Sequence, residues 1–243
     1  MKDHLLLALL FSQKKNSVHL RKNVNEDLAG YIAEWHESVN YHRINSLVFH
    51  DGLPEKFVND HTTEFVKWRQ VDPTQYNTCD ARWVVYDEFM DAEGKDYSRV
   101  FANDISDVIV GKNPFSEELE NYGSDVLFSG EDDHRYSSKW IRDRNEQIKD
   151  TLPHVYSHIV DNPKLKLYNP GIIGGSSEIF KEYCSQMADL VVGGGPVPKT
   201  VDMSYHNYVV RAYFKDRVIA GEPVNSLYRK FQKNRKDVWF IHK

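Results

Sequence analysis

The stretch VFANDISDVIV, residues 100–110, decides how the chain is read. Apolar residues carry the backbone inward, Asp104 and Asp107 follow three apart, and an apolar run resumes at once. Strand interiors are depleted in Asp, and carboxylates are seldom fully buried unless paired. Two acids here therefore mark the end of a buried strand. One reading makes Asp104 the cap of an Asx turn and leaves Asp107 solvated at an edge. The other starts from both acids being tied to one buried strand. Two like charges about 4 Å apart repel by ~1 kcal/mol in water and ~4 kcal/mol at an effective dielectric of about 20. A divalent cation removes that repulsion, and hard ions such as Mg2+ or Mn2+ take carboxylate oxygens.

Outward from this stretch the first half alternates strand and helix patterns, as βαβ units do. LLLALLFS (residues 5–12) reads as a buried first strand. Its apolar run lacks the small-residue cleavage site of a secretory leader and falls far short of the ~20 residues of a membrane span. Residues 25–42 read as a helix, with Asn25 as N-cap and Leu28, Ile32, Trp35 and Val39 on one face. INSLVFHD is a second strand, stopped by the Gly and Pro of HDGLPEKF. EFVKWRQV is a third strand. TCDARWVVYDEFM is a helix with Trp83, Tyr86 and Met90 on one side, and SRVFANDIS is the strand that ends in the acids.

The second half is less regular. SDVLFSGEDD is a strand running into acids, and SSKWIRDRNEQIKD a polar helix. Residues 166–192 read as strand, glycine turn and helix, with Ser176 or Ser177 as cap. TVDMSYHNYVVRAYF is a further helix, and VIAGE and DVWFIH close the chain as short strands. This is an α/β plan with a mostly parallel sheet, whose ligands sit at the carboxyl ends of the strands.

With 243 residues the chain is long enough for a sizeable core, and its mean hydropathy of −0.61 suits a soluble globular protein. A net charge of −5 makes duplex nucleic acid a poor partner, and an anionic ligand would need local positive charge. Cys79 and Cys184 are isolated, which argues against a disulfide framework or a cysteine zinc site and for a reducing compartment.

The segment RVFANDISDVIVGKNPF resembles the acidic metal-binding strand of GT-A type glycosyltransferases. CDARWVVYDEFM is similar to the helix before that strand. LYNPGIIGGSSEIFKEYCSQM resembles the family's N-x-G-x-x-G-G segment and the helix after it. VDMSYHNYVV is similar to the later DQ-type helix, and VWFIHK to the closing strand that carries a histidine. The order is conserved across roughly residue 80 to the end, and the set is most similar to stand-alone enzymes of bacteria and large DNA viruses, chlorella viruses included. Two departures stand out: the acidic motif is DISD rather than D-x-D or the D-s-r-D form, and Met203 stands where the family has glutamine.

The resemblance implies a single GT-A (Rossmann-like) domain over residues 1–243, with a nucleotide-sugar half to about residue 115 and an acceptor half beyond it. It implies a cytoplasmic hexosyltransferase, in a host cell's cytoplasm if viral. The enzyme would move a sugar from a nucleotide diphosphate, UDP-sugar foremost, to a glycan or glycoprotein hydroxyl with Mn2+ or Mg2+. Asp104, Asp107 and His242 would be the metal ligands, with His206 the competing histidine. Phe11, Ser12, Arg21, Arg82, Asn103, Asp104, Gly174 and Gly175 would meet the donor. If configuration inverts, a carboxylate must take the acceptor's proton: Asp202 first, then Asp132 or Asp133. Two rivals remain: a sugar-1-phosphate nucleotidyltransferase, which normally carries a glycine-rich basic loop after strand one, and a non-catalytic sugar-nucleotide or glycan-binding module.

Overall fold

The computed structural model describes residues 3–12, 27–72, 75–228, 230 and 232–243. Its first half builds β1 (Asp3–Leu10), α1 (Leu28–Tyr41), β2 (Ser46–His50), α2 (Glu55–His61), β3 (Val66–Gln70), α3 (Thr78–Glu93), β4 (Tyr97–Asn103) and β5 (Val108–Val110). The second half adds β6 (Leu127–Arg135), α4 (Lys139–Asn145), α5 (Pro153–Asp161), β7 (Lys166–Ser176), α6 (Ser177–Gly194), α7 (Asp202–Tyr213), β8 (Val218–Ala220) and β9 (Phe240–His242). Seven strands form one sheet in the order β3-β2-β1-β4-β7-β6-β8, and β5 pairs with β9 in a separate ribbon. Every strand of the large sheet runs the same way except β7, which is antiparallel to both β4 and β6.

Alternation along the central strands explains the layers. Leu5 and Leu7 of β1, with Val100 and Ala102 of β4, face α3, α6 and α7. Leu6, Ala8 and Leu10, with Phe101, face α1 and the aromatic group of Phe128, Trp239 and Phe240. A strand buried on both faces needs an unbroken apolar run. That is why LLLALL reads as it does.

Several boundaries differ from the sequence reading. Asn25 lies outside the described residues, and α1 is capped by Asp27, whose Oδ1 accepts from the Gly30 N–H at 2.8 Å. The glycine turn expected after NPGII is not there: β7 runs through Gly174 and Gly175 to Ser176, which caps α6. A Cβ on Gly174 would meet the Phe101 ring at 2.3 Å, and one on Gly175 would meet Ile179 at 2.5 Å. These glycines let neighbours close on the strand instead of bending it. α2 and α5 were not foreseen; α2 buries no residue, so periodicity had little to register.

Candidate functional site

β1 pairs with β2 on one side and with β4 on the other, so the chain's direction of travel across the sheet reverses between β1 and β4. Ligands of open α/β sheets bind outside the carboxyl ends of strands at such a point. Phe11 and Ser12 follow β1 there, and Asn103 and Asp104 close β4.

The β5–β9 ribbon brings the third group in. Its register sets His242 opposite Val108, and the Lys243 N–H donates to the Asp107 carbonyl at 2.8 Å. Ligand atoms of Asp104, Asp107 and His242 consequently lie within 4.8 Å of one another. This cluster could hold a metal ion. Three features fit one. The donor set is two carboxylates and an imidazole, as hard and borderline divalent ions take. His242 is buried, its Nδ1 has no hydrogen-bond partner, and its Nε2 stands 3.8 Å from Asp107 Oδ2, too far for a hydrogen bond. A Cβ on Gly171 would meet Asp104 Oδ2 at 2.7 Å and His242 Cε1 at 2.9 Å, so the trio can converge only over a glycine.

A break in the sheet delivers Gly171. Ser129 of β6 pairs with Ile173, but the next residue, Gly130, pairs with Asn169, so residues 170–172 of β7 are passed over on that side. Bulges of this kind re-aim backbone beside active sites. The Gly171 carbonyl accepts from the Asp104 N–H at 2.9 Å, and Asn169 Oδ1 accepts from the Gly171 N–H at 2.9 Å.

Arg82 of α3 lies beneath the acids. Its Nη1 donates to Asp104 Oδ1 and its Nη2 to Asp202 Oδ2, both at 2.6 Å. Burial works against the guanidinium's charge, but Asp104 and then Asp202 outweigh it and hold its pKa above the ordinary value. Asp80, two residues earlier, takes the Thr200 hydroxyl and the N–H groups of Val201 and Asp202 on one oxygen, fixing the start of α7. Burial first, and then the Asp202 charge, push the Asp80 carboxyl up to about 7.

The remaining expected residues are placed as follows. Phe11 lines a groove shared with Tyr31, Cys79 and Asn103, and the Ser12 N–H donates to Asp51 at 2.8 Å. Burial pushes the Tyr31 hydroxyl up to about 12. Asn103 is occupied in the fold: its Oδ1 accepts from the Trp35 indole at 3.2 Å. Gly174 and Gly175 lie inside the sheet, and Gly171 is the glycine at the cleft. Arg21 lies outside the described residues. Asp202 lines the cleft, but its oxygens take Arg82 and Thr200. Asp132 is buried at the end of β6, whereas Asp133, the next residue along the strand, is exposed. His206 does not compete as a ligand: it is fully buried, with Nδ1 on Tyr183 and Nε2 on Ser129, and burial lowers its pKa well below the usual value.

The adjoining cleft has a volume of about 380 Å³ and runs from Asp104 and Asp107 past Asn169 and Asp132 to Trp140. Sequence reasoning missed Gly171, Asp80 and His134 at this site. The NPG and DDHR segments were the only signals for Gly171 and His134, and Asp80 had none beyond its place beside Arg82 in CDARW.

No family model and no curated protein matches the chain.

Proposed function

We propose that the protein is a metal-dependent glycosyltransferase of the GT-A kind, moving a sugar from a nucleotide diphosphate, UDP foremost, to a glycan or glycoprotein hydroxyl. One observation carries the reading. Two carboxylates and a buried imidazole converge at the carboxyl ends of β1 and β4, at the switch point of the sheet.

The trio suits Mn2+ somewhat better than Mg2+, because one donor is an imidazole. Such an ion, when bound, neutralises the charge that develops on a diphosphate leaving group. In a chain of net charge −5 the local cation Arg82 is already committed to Asp104 and Asp202. Arg82 therefore orients the acids and leaves the phosphates to the metal trio. The groove beside Phe11 and Tyr31 takes the nucleoside, and the cleft toward Asn169 and Trp140 takes the sugars.

Calorimetric titration of UDP, GDP and their hexose conjugates, with and without Mn2+, tests this on wild type and Asp107→Ala. One nucleotide should bind only with the metal. Asp107→Ala should weaken it by more than the ~10–100-fold that outer-shell changes cost metal sites. Binding that ignores both the metal and Asp107 would sink the reading, and so would no binding at all. Pyrophosphate release from a nucleoside triphosphate and a sugar-1-phosphate would assign the site to a nucleotidyltransferase instead.

A further inference from the structure

A second constellation lines the same cleft, on the wall formed by β6. Asp132 is 2 % exposed, and its Oδ1 accepts twice from His134: from the backbone N–H at 2.9 Å and from the ring Nδ1 at 2.6 Å. With Nδ1–H committed to the carboxylate, Nε2 is the lone-pair nitrogen. The His134 side chain is 36 % exposed and lines the cleft, whereas its partner's carboxylate is almost wholly buried. An imidazole oriented by a buried carboxylate, with its other nitrogen open to a substrate site, is the form of a general base.

Its position fits that role. β6 runs parallel to β4 with only β7 between them; β4 ends at Asn103, opposite Ile172, while β6 runs on past the bulge to Asp132, opposite Leu167, along the wall of the same cleft. The bulge of β7 puts Pro170 and Gly171 between them. The trio and the imidazole line one cleft of about 380 Å³, which leaves room for a sugar between them. Trp140 meets the His134 ring edge-on at 6.3 Å, and the Arg144 guanidinium covers the indole at 5.3 Å, closing this wall. The carboxylates expected as bases are less well placed: Asp202 is held by Arg82 and Thr200, Asp133 is exposed, and Asp132 is buried with its Oδ1 committed to His134.

We infer that His134 is the general base for the acceptor hydroxyl, that Asp132 is its positioning residue, and that transfer inverts the anomeric centre; this rests on the transferase reading above. His134 Nε2 takes the hydroxyl proton as the hydroxyl oxygen bonds to the anomeric carbon. The bond from that carbon to the phosphate oxygen breaks, and its electron pair leaves with the nucleoside diphosphate.

The experiment uses whichever UDP- or GDP-hexose the titration selects, with Mn2+, and follows transfer to water and to a panel of methyl glycosides. His134→Ala should keep donor affinity but lose ~10²–10⁴-fold in turnover. Added imidazole should restore part of that loss, and the wild-type product should have inverted configuration by NMR. Asp132→Asn should lower kcat with KM unchanged and should not respond to imidazole, because its histidine is still there. The inference is overturned by undiminished turnover in His134→Ala, by a loss that imidazole cannot restore, or by retained configuration. Donor binding without any transfer by wild type counts against it equally. Absence of donor binding fails the transferase reading itself, whereas normal binding with an unaffected His134→Ala fails this assignment alone.

Discussion

Gly171 shows how one absent side chain shapes the site. Alanine there puts a methyl group 2.7 Å from Asp104 Oδ2, 2.9 Å from His242 Cε1 and 3.0 Å from Asn169 Oδ1. Backbone strain is not the issue; the three groups simply must separate. Gly171→Ala is expected to weaken Mn2+ binding at least tenfold by titration, with an unfolding midpoint close to wild type. Gly174→Ala should do the reverse. Its methyl group would enter the Phe101 ring inside the sheet, an overpacking that costs about 1–3 kcal/mol in urea unfolding. Equal metal losses in the two variants would mean that the effect is a general loosening. The sequence pointed to Gly174 and Gly175 of this strand, which lie inside the sheet, while Gly171 of the same strand lines the cleft. Close approach was the property expected of a glycine here, but what approaches each one depends on neighbours from other elements: Phe101 at Gly174, and Asp104 and His242 at Gly171.

At the scale of elements, α7 is held at both its start and its middle. Asp80 of α3 accepts from Thr200, Val201 and Asp202, doing from another helix what a local N-cap does. Asn207 pairs with both backbone groups of Tyr168, tying α7 to β7 just before the bulge. Asp80→Ala should therefore destabilise the fold by about 1–2 kcal/mol, the cost of a lost cap. Asp80→Asn, which keeps an acceptor oxygen and removes a charge beside Asp202, should cost less. A reversed order in urea midpoints would show that charge rather than capping matters here. The β5–β9 ribbon is three residues a side, yet its register sets His242 beside Asp107. Nothing local to either strand announces that pairing, because both are short apolar runs that would fit many partners.

For the whole molecule, histidines that are wholly or partly buried set the response to acid. Burial lowers the pKa of His4, His42, His50 and His158, and lowers that of His206 furthest. Below about pH 6.5 the unfolded chain takes up protons that the folded chain refuses. Their contribution to stability is thus full above about 6.5 and is lost as pH falls toward the folded values. Asp80 works oppositely: its folded carboxyl, raised to about 7, keeps a proton that the unfolded chain has released down to about pH 3.9, so acidification over that window favours the fold through this group. Urea midpoints measured against pH on wild type and His206→Gln separate the two. The variant should lose up to ~1.4 kcal/mol per pH unit of the acid-side slope. Parallel curves would remove His206 as a source. Among the described residues no helix is long and apolar enough to cross a membrane.

What the sequence determined by itself is what local pattern encodes. The continuous run of β1, the acids that end β4, and the helical spacing of Trp83, Tyr86 and Met90 in α3 each follow from whether a segment is buried on two faces, on one or at an edge. The α/β class and the pair Asp104 and Asp107 were legible for that reason. The resemblance named His242 ahead of His206, but only the tertiary structure brings it to the acids. Only the tertiary structure decided which glycine makes room, that Arg82 spans Asp104 and Asp202, and that Asp132 holds the His134 ring. His206 and His242 look alike along the chain. One is turned into the core between Tyr183 and Ser129, and the other is carried to the acids by a three-residue ribbon. Periodicity reports how deeply a residue is buried, but not against what; pairing register and the direction of a strand's end supply that.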